Sequence, residues 1–351
     1  MQDVAAMGPV AAGGDTRRVV ILGTGGTIAG VSDEGDDRRY QAARLGVAQL
    51  VEAVPALAAV PLQALQVAQV DSKDMGPAVW TPLLAAVQSQ LQRDDVAGVV
   101  ITHGTDTLEE TALLLHLLLR PGKPVVLTAA MRPASSLQAD GPANLRDAVA
   151  TVRWAAERGL GGVVAVMAGG VWAACEVRKA HSHAIDAFDG GGAQALARVD
   201  AAGITPGSRL WPQPLGWSTA SLPDAWPRVK LITSHADADA EAAELQSCLD
   251  TCAPACPWAG VVVAGTGHGT VHQALWPVLQ RCEAAGAVVW RSSRVARGGV
   301  QADSWEPGSI GERRWPGVPH LTAAQARVLL AVALGCRLPG LPAVPAVEPA
   351  A

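Results

Sequence analysis

The chain is poor in phenylalanine and tyrosine, with one of each among its 351 residues. It also lacks an apolar run of roughly 20 residues, the length that a membrane-spanning helix requires. A run of basic residues is missing as well, and the formal net charge is −5. These absences argue against an integral membrane protein and against a nucleic-acid-binding surface.

The first residues lack the apolar core of a secretory signal. The segment from Met1 to Arg18 contains small residues, mainly Gly and Ala, without a continuous hydrophobic stretch. The sequence therefore predicts a cytoplasmic protein.

The six cysteines do not form a recognisable metal motif. Cys248, Cys252 and Cys256 recur every four residues, but Pro254 interrupts the helical face that they would share. No paired Cys or His at zinc-finger spacing lies nearby to complete a site. We expect these thiols to be buried structural residues, and we expect no metal or other cofactor.

Apolar, β-branched runs alternate along the chain with stretches of helical length, the pattern typical of parallel βαβ units. An apolar fraction of 49% with 17% charged residues fits a globular fold, and the length suffices for two domains. The predicted fold class is therefore α/β. Strands are predicted at 18–24, 64–70, 97–102, 124–129, 162–168, 229–234, 259–264 and 287–291. Helices are predicted, among others, at 46–53, 77–92, 107–119 and 142–157.

A stretch rich in Pro, Trp, Gly and Ser, residues 207–227, interrupts this alternation and is predicted to be a linker. It would separate a larger N-terminal α/β domain with a mostly parallel sheet, residues 18–206, from a smaller C-terminal α/β domain, residues 228–337. We expect residues 1–17 to be flexible and the Pro- and Ala-rich tail, residues 338–351, to be disordered.

Two predicted strands end in turns that carry threonine. The first turn is Gly23-Thr24-Gly25-Gly26-Thr27, and the second is Thr102-His103-Gly104-Thr105-Asp106. Ligands of open α/β sheets bind beyond the carboxyl ends of the strands. Two Gly-Thr turns at such ends therefore predict hydroxyl groups that converge on one reactive carbonyl.

The same turns fit simpler interpretations. Thr27 and Thr105 could merely cap helices, and Thr107 with Glu110 has the spacing of a capping box. A helix would then begin directly after Asp106, with free amides that suit an anionic group. The first turn also resembles a dinucleotide-binding loop, but its glycine spacing is off by one and no phosphate-binding Gly-Lys-Ser/Thr is present. If a threonine is a nucleophile, it needs a neighbouring group to activate it, and Asp106 and Lys179 are candidates.

The ordered motifs resemble those of the bacterial-type L-asparaginases and glutaminase-asparaginases, amidohydrolases with a threonine nucleophile. The resemblance covers roughly residues 18 to 336 of the chain. The motifs that carry it are Thr24-Gly25-Gly26-Thr27-Ile28-Ala29-Gly30, Asp71-Ser72-Lys73-Asp74-Met75, Thr102 to Thr111, Ala130-Met131-Arg132-Pro133, Ala139 to Leu145, and Arg291-Ser292-Ser293-Arg294.

The resemblance implies roles for five catalytic residues. Thr27 would be the nucleophile that forms an acyl-enzyme as ammonia leaves. Tyr40, the only tyrosine of the chain, matches the tyrosine of a closing loop that helps to activate the nucleophile. Thr105, Asp106 and Lys179 match a second, hydrogen-bonded triad, in which Thr105 positions or activates water.

The resemblance also implies how substrate would be bound. Ser72 matches the serine that binds the α-carboxylate, and Asp106 matches the group that receives the α-ammonium. Thr105 contributes to binding, and the oxyanion would meet backbone donors near it. The implied reaction is hydrolysis of L-asparagine to L-aspartate and ammonia. Homotetramers of intimate dimers are implied too, with each active site completed by a neighbouring subunit.

The chain departs from the family pattern beside the expected ammonium site. Lys73 stands where periplasmic-type members usually carry Gln or Glu. Its charge would repel an α-ammonium unless it points away or pairs with Asp71 or Asp74. Further along, in Gly265-Thr266-Gly267-His268-Gly269-Thr270, the family often has Asn at the latter two variable positions, which hold His268 and Thr270 here. Trp305 aligns with an acidic residue that the partner subunit donates, and Glu306 is a possible replacement.

Two alternatives stay open, and the departures support the first of them. One is a broader amidase or glutaminase with altered amine recognition. The other is a non-catalytic role, such as an ammonia-supplying subunit of a transfer-RNA amidotransferase, which usually has an extra N-terminal domain. Near the motifs, His103 is expected to pack or orient its turn rather than to act as a base, and His268 is expected to be a polar loop residue.

Overall fold

The chain divides into two compact units, residues 1–220 and 221–351. The computed structural model describes residues 15–32, 39–212, 222–223, 225–300 and 315–336. The predicted tail, part of the predicted linker and nearly all of the predicted flexible N-terminus lie outside these residues. The predicted domain limits therefore stay predictions.

The first unit is built on a mixed eight-stranded sheet. The strands described in this unit are β1 (Arg18–Gly25), β2 (Val31–Ser32), β3 (Tyr40–Gln41), β4 (Leu62–Val70), β5 (Val96–Thr102), β6 (Pro124–Thr128), β7 (Gly162–Met167), β8 (Gly170–Ala173), β9 (Arg178–Lys179), β10 (Phe188–Asp189), β11 (Ala197–Asp200) and β12 (Gly203–Pro206). The order in the sheet is β12-β11-β8-β7-β6-β5-β1-β4. The five strands from β7 to β4 in this order are parallel, and β8, β11 and β12 extend the sheet in antiparallel fashion. Two short antiparallel ribbons, β2–β3 and β9–β10, stand apart from it.

Helices cover this sheet because its central strands are apolar on both faces. Every residue of β5, β6 and β7 is buried, as a doubly covered parallel sheet requires. The helices of the unit are α1 (Val47–Glu52), α2 (Pro77–Leu91), α3 (Leu108–Leu118) and α4 (Gly141–Glu157). Proline near the first turn of α2 and α4 suits a helix start, since its missing N–H has no intrahelical partner there. Short 3₁₀ helices occupy Thr27–Ala29, Pro55–Leu57 and Ser72–Asp74.

The second unit has a smaller, three-stranded parallel sheet. Its strands are β13 (Val229–Thr233), β14 (Gly260–Gly265) and β15 (Val288–Ser293), with β14 in the centre. Its helices are α5 (Asp239–Cys252), α6 (Leu275–Ala284) and α7 (Ala323–Gly335). Trp258 and Trp315 are buried in its core. Together the two units confirm the predicted class, a larger α/β unit with a mainly parallel sheet and a smaller α/β unit.

The exposed cysteines correct one expectation. Cys248 and Cys252 are exposed on α5, so the prediction that they are buried is wrong, whereas Cys256 is half-buried and Cys282 is buried. Within the described residues, no group of three or more His, Cys, Asp and Glu side chains has the arrangement of a metal site. Among those residues there is also no helix with the length and apolar character to cross a bilayer.

Candidate active site

The two threonine turns lie side by side because β1 and β5 are neighbours in the sheet. The register pairs Gly23 with Thr102, the last residue of β5, and β1 continues for two more residues, so the two turns follow at the same edge of the sheet. The turns meet through their backbones: a Cβ built on Gly26 would lie 2.3 Å from the Cα of Gly104. Gly26 also has a φ of 81°, in the region that favours glycine. Glycine at this position therefore allows the two turns to touch.

Thr27 and Tyr40 form the first contact of the site. Thr27 begins the 3₁₀ helix that follows β1, and it is only 8% exposed. Its hydroxyl oxygen lies 2.8 Å from the phenolic oxygen of Tyr40, which belongs to β3. Gly30 leaves room for the ring, since a Cβ there would lie 2.9 Å from Cδ2 of Tyr40. Residues 33–38 of the predicted closing loop lie outside the described residues.

Lys179 joins Thr105 and Asp106 into a second cluster. The ammonium of Lys179 donates a hydrogen bond of 2.9 Å to Oγ1 of Thr105 and one of 2.6 Å to Oδ1 of Asp106. Thr105 is buried, whereas the Asp106 side chain is 54% exposed. The cluster thus presents a hydroxyl held by a cation, beside a carboxylate that is open to solvent.

Ser72 is linked to the same turn by two hydrogen bonds. It is buried at the start of the 3₁₀ helix that follows β4. The backbone N–H of Asp106 donates to the Ser72 hydroxyl oxygen at 3.2 Å. The hydroxyl of Thr107 donates to the Ser72 carbonyl at 2.7 Å. Since the Ser72 hydroxyl accepts from Asp106, its own hydrogen is available to a ligand.

The bond from Thr107 to Ser72 overturns a prediction. Thr107 precedes α3 as expected, but its side chain makes no capping hydrogen bond. The predicted capping box with Glu110 is therefore wrong. The hydroxyl serves a tertiary contact instead, because the turn after β4 brings the Ser72 carbonyl within reach; this carbonyl also accepts the backbone N–H of Met75.

Lys73 is neutralised by its neighbours. Its ammonium lies 3.0 Å from Asp71 and 2.8 Å from Asp74, and its side chain is 61% exposed. Hydrogen bonds to Asp74 and Asp71 raise the pKa of Lys73. Of the two arrangements considered for this lysine, the paired one is observed, so its charge is offset locally.

His103 is fully buried beneath the second turn, as expected for a residue that packs. Its Nδ1 lies 2.7 Å from the carbonyl of Gly104, and its Nε2 lies 2.9 Å from the hydroxyl of Thr111. A carbonyl only accepts, so Nδ1 carries the proton and Nε2 accepts from Thr111. Burial lowers the pKa of His103 to about 4. A histidine that stays neutral and fully bonded is a structural support rather than a base.

A buried carboxylate stabilises the loop that packs against the first turn. Asp140 accepts hydrogen bonds from the backbone amides of Met131 and Arg132 and from the Asn144 side chain. Burial raises the pKa of Asp140, and these amides counteract the rise. The resemblance motifs at 130–133 and 139–145 thus build one supporting network.

Sequence reasoning overlooked Glu109. Its carboxylate oxygen Oε2 accepts the backbone N–H of Lys179 at 2.9 Å. The available signal was its place in the first turn of α3, close to Asp106 in the chain. That signal is weak, since acidic residues are common at helix starts for reasons of the helix dipole alone.

The motifs of the second unit are described only in part. The hydroxyls of Thr266 and Thr270 lie 2.6 Å apart within one tight turn, and His268 is exposed as expected for a polar loop residue. Trp305 and Glu306, on which the expected intersubunit contact depends, lie outside the described residues.

The predicted site residues of the first unit thus make three sets of hydrogen bonds in one region. These join Thr27 with Tyr40, Lys179 with Thr105 and Asp106, and Asp106 with Ser72. Chemically, this region offers a buried hydroxyl with a phenol partner, a second hydroxyl bound by a cation, and a hydroxyl and a carboxylate that could bind anionic and cationic groups.

Known proteins share both units of the chain. The family model described as "Asparaginase, N-terminal" matches residues 18–209, and the "Glutaminase/Asparaginase C-terminal domain" matches residues 228–339. The chain is 34% identical over 334 residues to a protein of Haemophilus influenzae named "Probable L-asparaginase periplasmic", covering 93% of this chain and 90% of that protein. It is 34% identical over 323 residues to the "Glutaminase-asparaginase" of Pseudomonas fluorescens, covering 90% and 86%. A crystal structure of a probable cytoplasmic L-asparaginase from Campylobacter jejuni shares 32% identity and a TM-score of 0.78, covering 91% of this chain and 95% of that one.

Proposed function

The chain belongs to the asparaginase family, and we propose that it hydrolyses L-asparagine to L-aspartate and ammonia through an acyl-enzyme on Thr27. The observation that carries the proposal is the 2.8 Å contact between the hydroxyls of Thr27 and Tyr40. A buried threonine next to a phenol, at the carboxyl end of the buried strand β1, fits nucleophilic catalysis.

In the first half-reaction, the Thr27 oxygen attacks the side-chain amide carbon while its proton passes toward the Tyr40 oxygen. The tetrahedral oxyanion would meet the backbone N–H of Thr105. The bond from His103 to the Gly104 carbonyl supports this, because a trans peptide directs the following N–H to the opposite side. Collapse of this intermediate expels ammonia: Tyr40, having received the Thr27 proton, gives its own phenol proton to the leaving nitrogen.

In the second half-reaction, water hydrolyses the ester on Thr27. Thr105, held by Lys179 at 2.9 Å, would bind and orient this water. The short contact between Lys179 and Asp106 keeps the cation beside the hydroxyl. Hydrolysis releases L-aspartate and returns the proton to Thr27.

Recognition of the amino-acid end would use Ser72 and Asp106. The free hydrogen of Ser72 would bind the α-carboxylate, and the exposed carboxylate of Asp106 would bind the α-ammonium. Lys73 should repel the α-ammonium less than its charge alone suggests, because Asp71 and Asp74 offset that charge. The alternative is a glutaminase or broader amidase activity, which rests on the departures of Lys73, Thr270 and Trp305 from the family pattern.

The test is ammonia release from L-asparagine and L-glutamine, measured side by side over a wide concentration range. Thr27→Ala should lower kcat for asparagine by at least about 10³-fold, because the acyl-enzyme cannot form. Thr205→Ala, which alters an exposed threonine of β12, serves as the matched control and should keep full activity. Turnover of glutamine or another amide, with asparagine untouched, would favour the alternative; activity that survives in a folded Thr27→Ala protein would overturn the mechanism.

The assembly and the location belong to the same proposal. We expect a homotetramer of intimate dimers, which light scattering of the purified protein tests directly. A monomer with full activity would contradict a site completed by a neighbouring subunit. The expected cytoplasmic location is tested by cell fractionation, since relatives are named both periplasmic and cytoplasmic.

A further inference from the structure

We propose that Glu109 is a positioning residue that holds Lys179 in place beside Thr105 and Asp106. The proposal rests on the function proposed above and adds a residue that the resemblance did not assign. Its first support is the hydrogen bond of 2.9 Å from the Lys179 backbone N–H to Oε2 of Glu109.

The strand that carries Lys179 has little support of its own. β9 contains two residues and pairs with the equally short β10. In this ribbon Ala180 N–H donates to the Ala187 carbonyl, which makes Lys179 and Phe188 a non-hydrogen-bonded pair. The N–H of Lys179 therefore points away from β10. Glu109 is the group that receives it.

Both ends of Lys179 are consequently bound to one short segment. The ammonium bonds to Thr105 and Asp106, and the backbone bonds to Glu109 at the start of α3. A lysine side chain is long and flexible, so fixing its backbone restricts where its amine can lie. The first turn of a helix also favours an ionised carboxylate.

The chemical consequence concerns kcat rather than substrate affinity. Glu109 bonds to a backbone amide, not to the amine, and its expected effect passes through Lys179. If the backbone of Lys179 shifts, its amine leaves Thr105, and water is no longer held for attack on the acyl-enzyme. A displacement of about 1 Å in such a group lowers a rate by as much as about 100-fold.

The kinetic test compares three variants. Glu109→Ala should lower kcat about 10- to 100-fold and change KM by less than about 3-fold, because misplacement of a catalytic group acts on the chemical step. Glu109→Gln should restore most of kcat, since its amide oxygen still accepts the N–H. Glu157→Gln, which alters a partly exposed carboxylate of α4, is the control and should behave as wild type. In a Lys179→Met background, Glu109→Ala should cause no further loss, because the two changes remove one function.

A second measurement does not depend on the proposed reaction. The chain has only four lysines, so limited acetylation with acetic anhydride followed by mass spectrometry resolves each one. The Lys179 side chain is only 19% exposed and its ammonium is bonded to Asp106, so its release in Glu109→Ala should expose the amine to the reagent and raise the acetylation rate of Lys179 severalfold relative to Lys230. Glu109→Gln should match wild type.

The outcomes separate the two proposals. If wild type fails to hydrolyse asparagine, the proposed function falls, and the acetylation rates alone decide the role of Glu109. If Lys179 is acetylated at the wild-type rate in folded Glu109→Ala protein, the positioning role is overturned. Equal kcat losses in the Gln and Ala variants would overturn it as well, because they would indicate a need for the charge.

Discussion

The turns after β1 and β5 each present a threonine hydroxyl, but they hold its partner in different ways. Tyr40, the partner of Thr27, is 38% exposed on a two-residue strand and reaches the hydroxyl by a single hydrogen bond. Lys179, the partner of Thr105, is bound at its amine by two groups and at its backbone by Glu109.

This difference concerns how firmly the two partners are held. Both contacts are present in the arrangement that the structure describes. The Tyr40 phenol is carried by the short β2–β3 ribbon and meets Thr27 at one point, so a small movement of this ribbon would change the Thr27 contact. Three hydrogen bonds fix Lys179, so the group beside Thr105 should keep its place better.

Removal of the phenol hydroxyl of Tyr40 tests the first turn and should give the largest loss of activity among these experiments. Tyr40→Phe should lower kcat about 10²- to 10³-fold, the range expected for loss of a proton-transfer partner, with a smaller change in KM. The measurement is steady-state ammonia release by the pure variant.

Stability provides the control for that experiment. The ring of Tyr40 is partly exposed, and Phe keeps its apolar contacts, so the free energy of unfolding should change by less than about 1 kcal/mol. A loss confined to KM, with kcat intact, would mean that Tyr40 only closes over substrate and takes no proton.

The hydrogen bond between Thr107 and Ser72, the residue proposed to bind the α-carboxylate, should have a smaller effect when it is removed. Thr107→Val removes one of the two hydrogen bonds to the Ser72 carbonyl and leaves the backbone N–H of Met75 as its donor. KM should rise about 3- to 10-fold while kcat stays within about 2-fold, because a shifted Ser72 weakens binding that is equal in ground and transition states. Thr107→Ser keeps the hydroxyl and should restore KM. A fall in kcat at unchanged KM would instead assign Thr107 to the chemical step.

The strands and helices that carry the two turns could be predicted from the sequence, because each is encoded by a continuous pattern of neighbouring residues. Continuous apolar runs with turn signals identified the central strands, and the observed bounds of β1, β5 and α4 agree with the predicted ones to within one residue. The short ribbon strands and the antiparallel edge had no such signal, since two- to four-residue strands are defined by their partners.

The side-chain partners were harder to predict, because they depend on which segments the fold brings together. Thr107 stands at the N-cap position of α3, but its hydroxyl donates to the Ser72 carbonyl and makes no capping hydrogen bond. Glu109 reaches a residue that lies 70 positions away in the chain. Lys73 is the instructive contrast: its partners are adjacent in sequence, and its pairing was one of two outcomes that the sequence already suggested.

Acid pH should lower the free energy of unfolding through His103, which is buried beneath the second turn. Of the changes considered, this one should affect activity least. Burial lowers the pKa of His103 to about 4 in the native state, against 6.5 for the free side chain. Between these values the unfolded chain binds a proton that the native protein does not, so the free energy of unfolding falls as pH falls. Above pH 6.5 both states are neutral and the effect vanishes. Between pH 7.5 and 5 the loss from this group should be about 2 kcal/mol.

Urea unfolding at these two pH values measures the loss, and His103→Gln should reduce it by about 2 kcal/mol, because glutamine does not titrate. His116→Gln is the matched control: burial also lowers the pKa of His116 to about 4, but this residue lies far along α3 and bonds to neither turn. Both variants should therefore resist acid better than wild type, whereas only His103→Gln should also alter kcat, since only His103 bonds to the Gly104 carbonyl. If both variants kept wild-type kcat, the second turn would owe its geometry to Lys179 and Glu109 alone, and the contrast between the two turns would rest on that lysine.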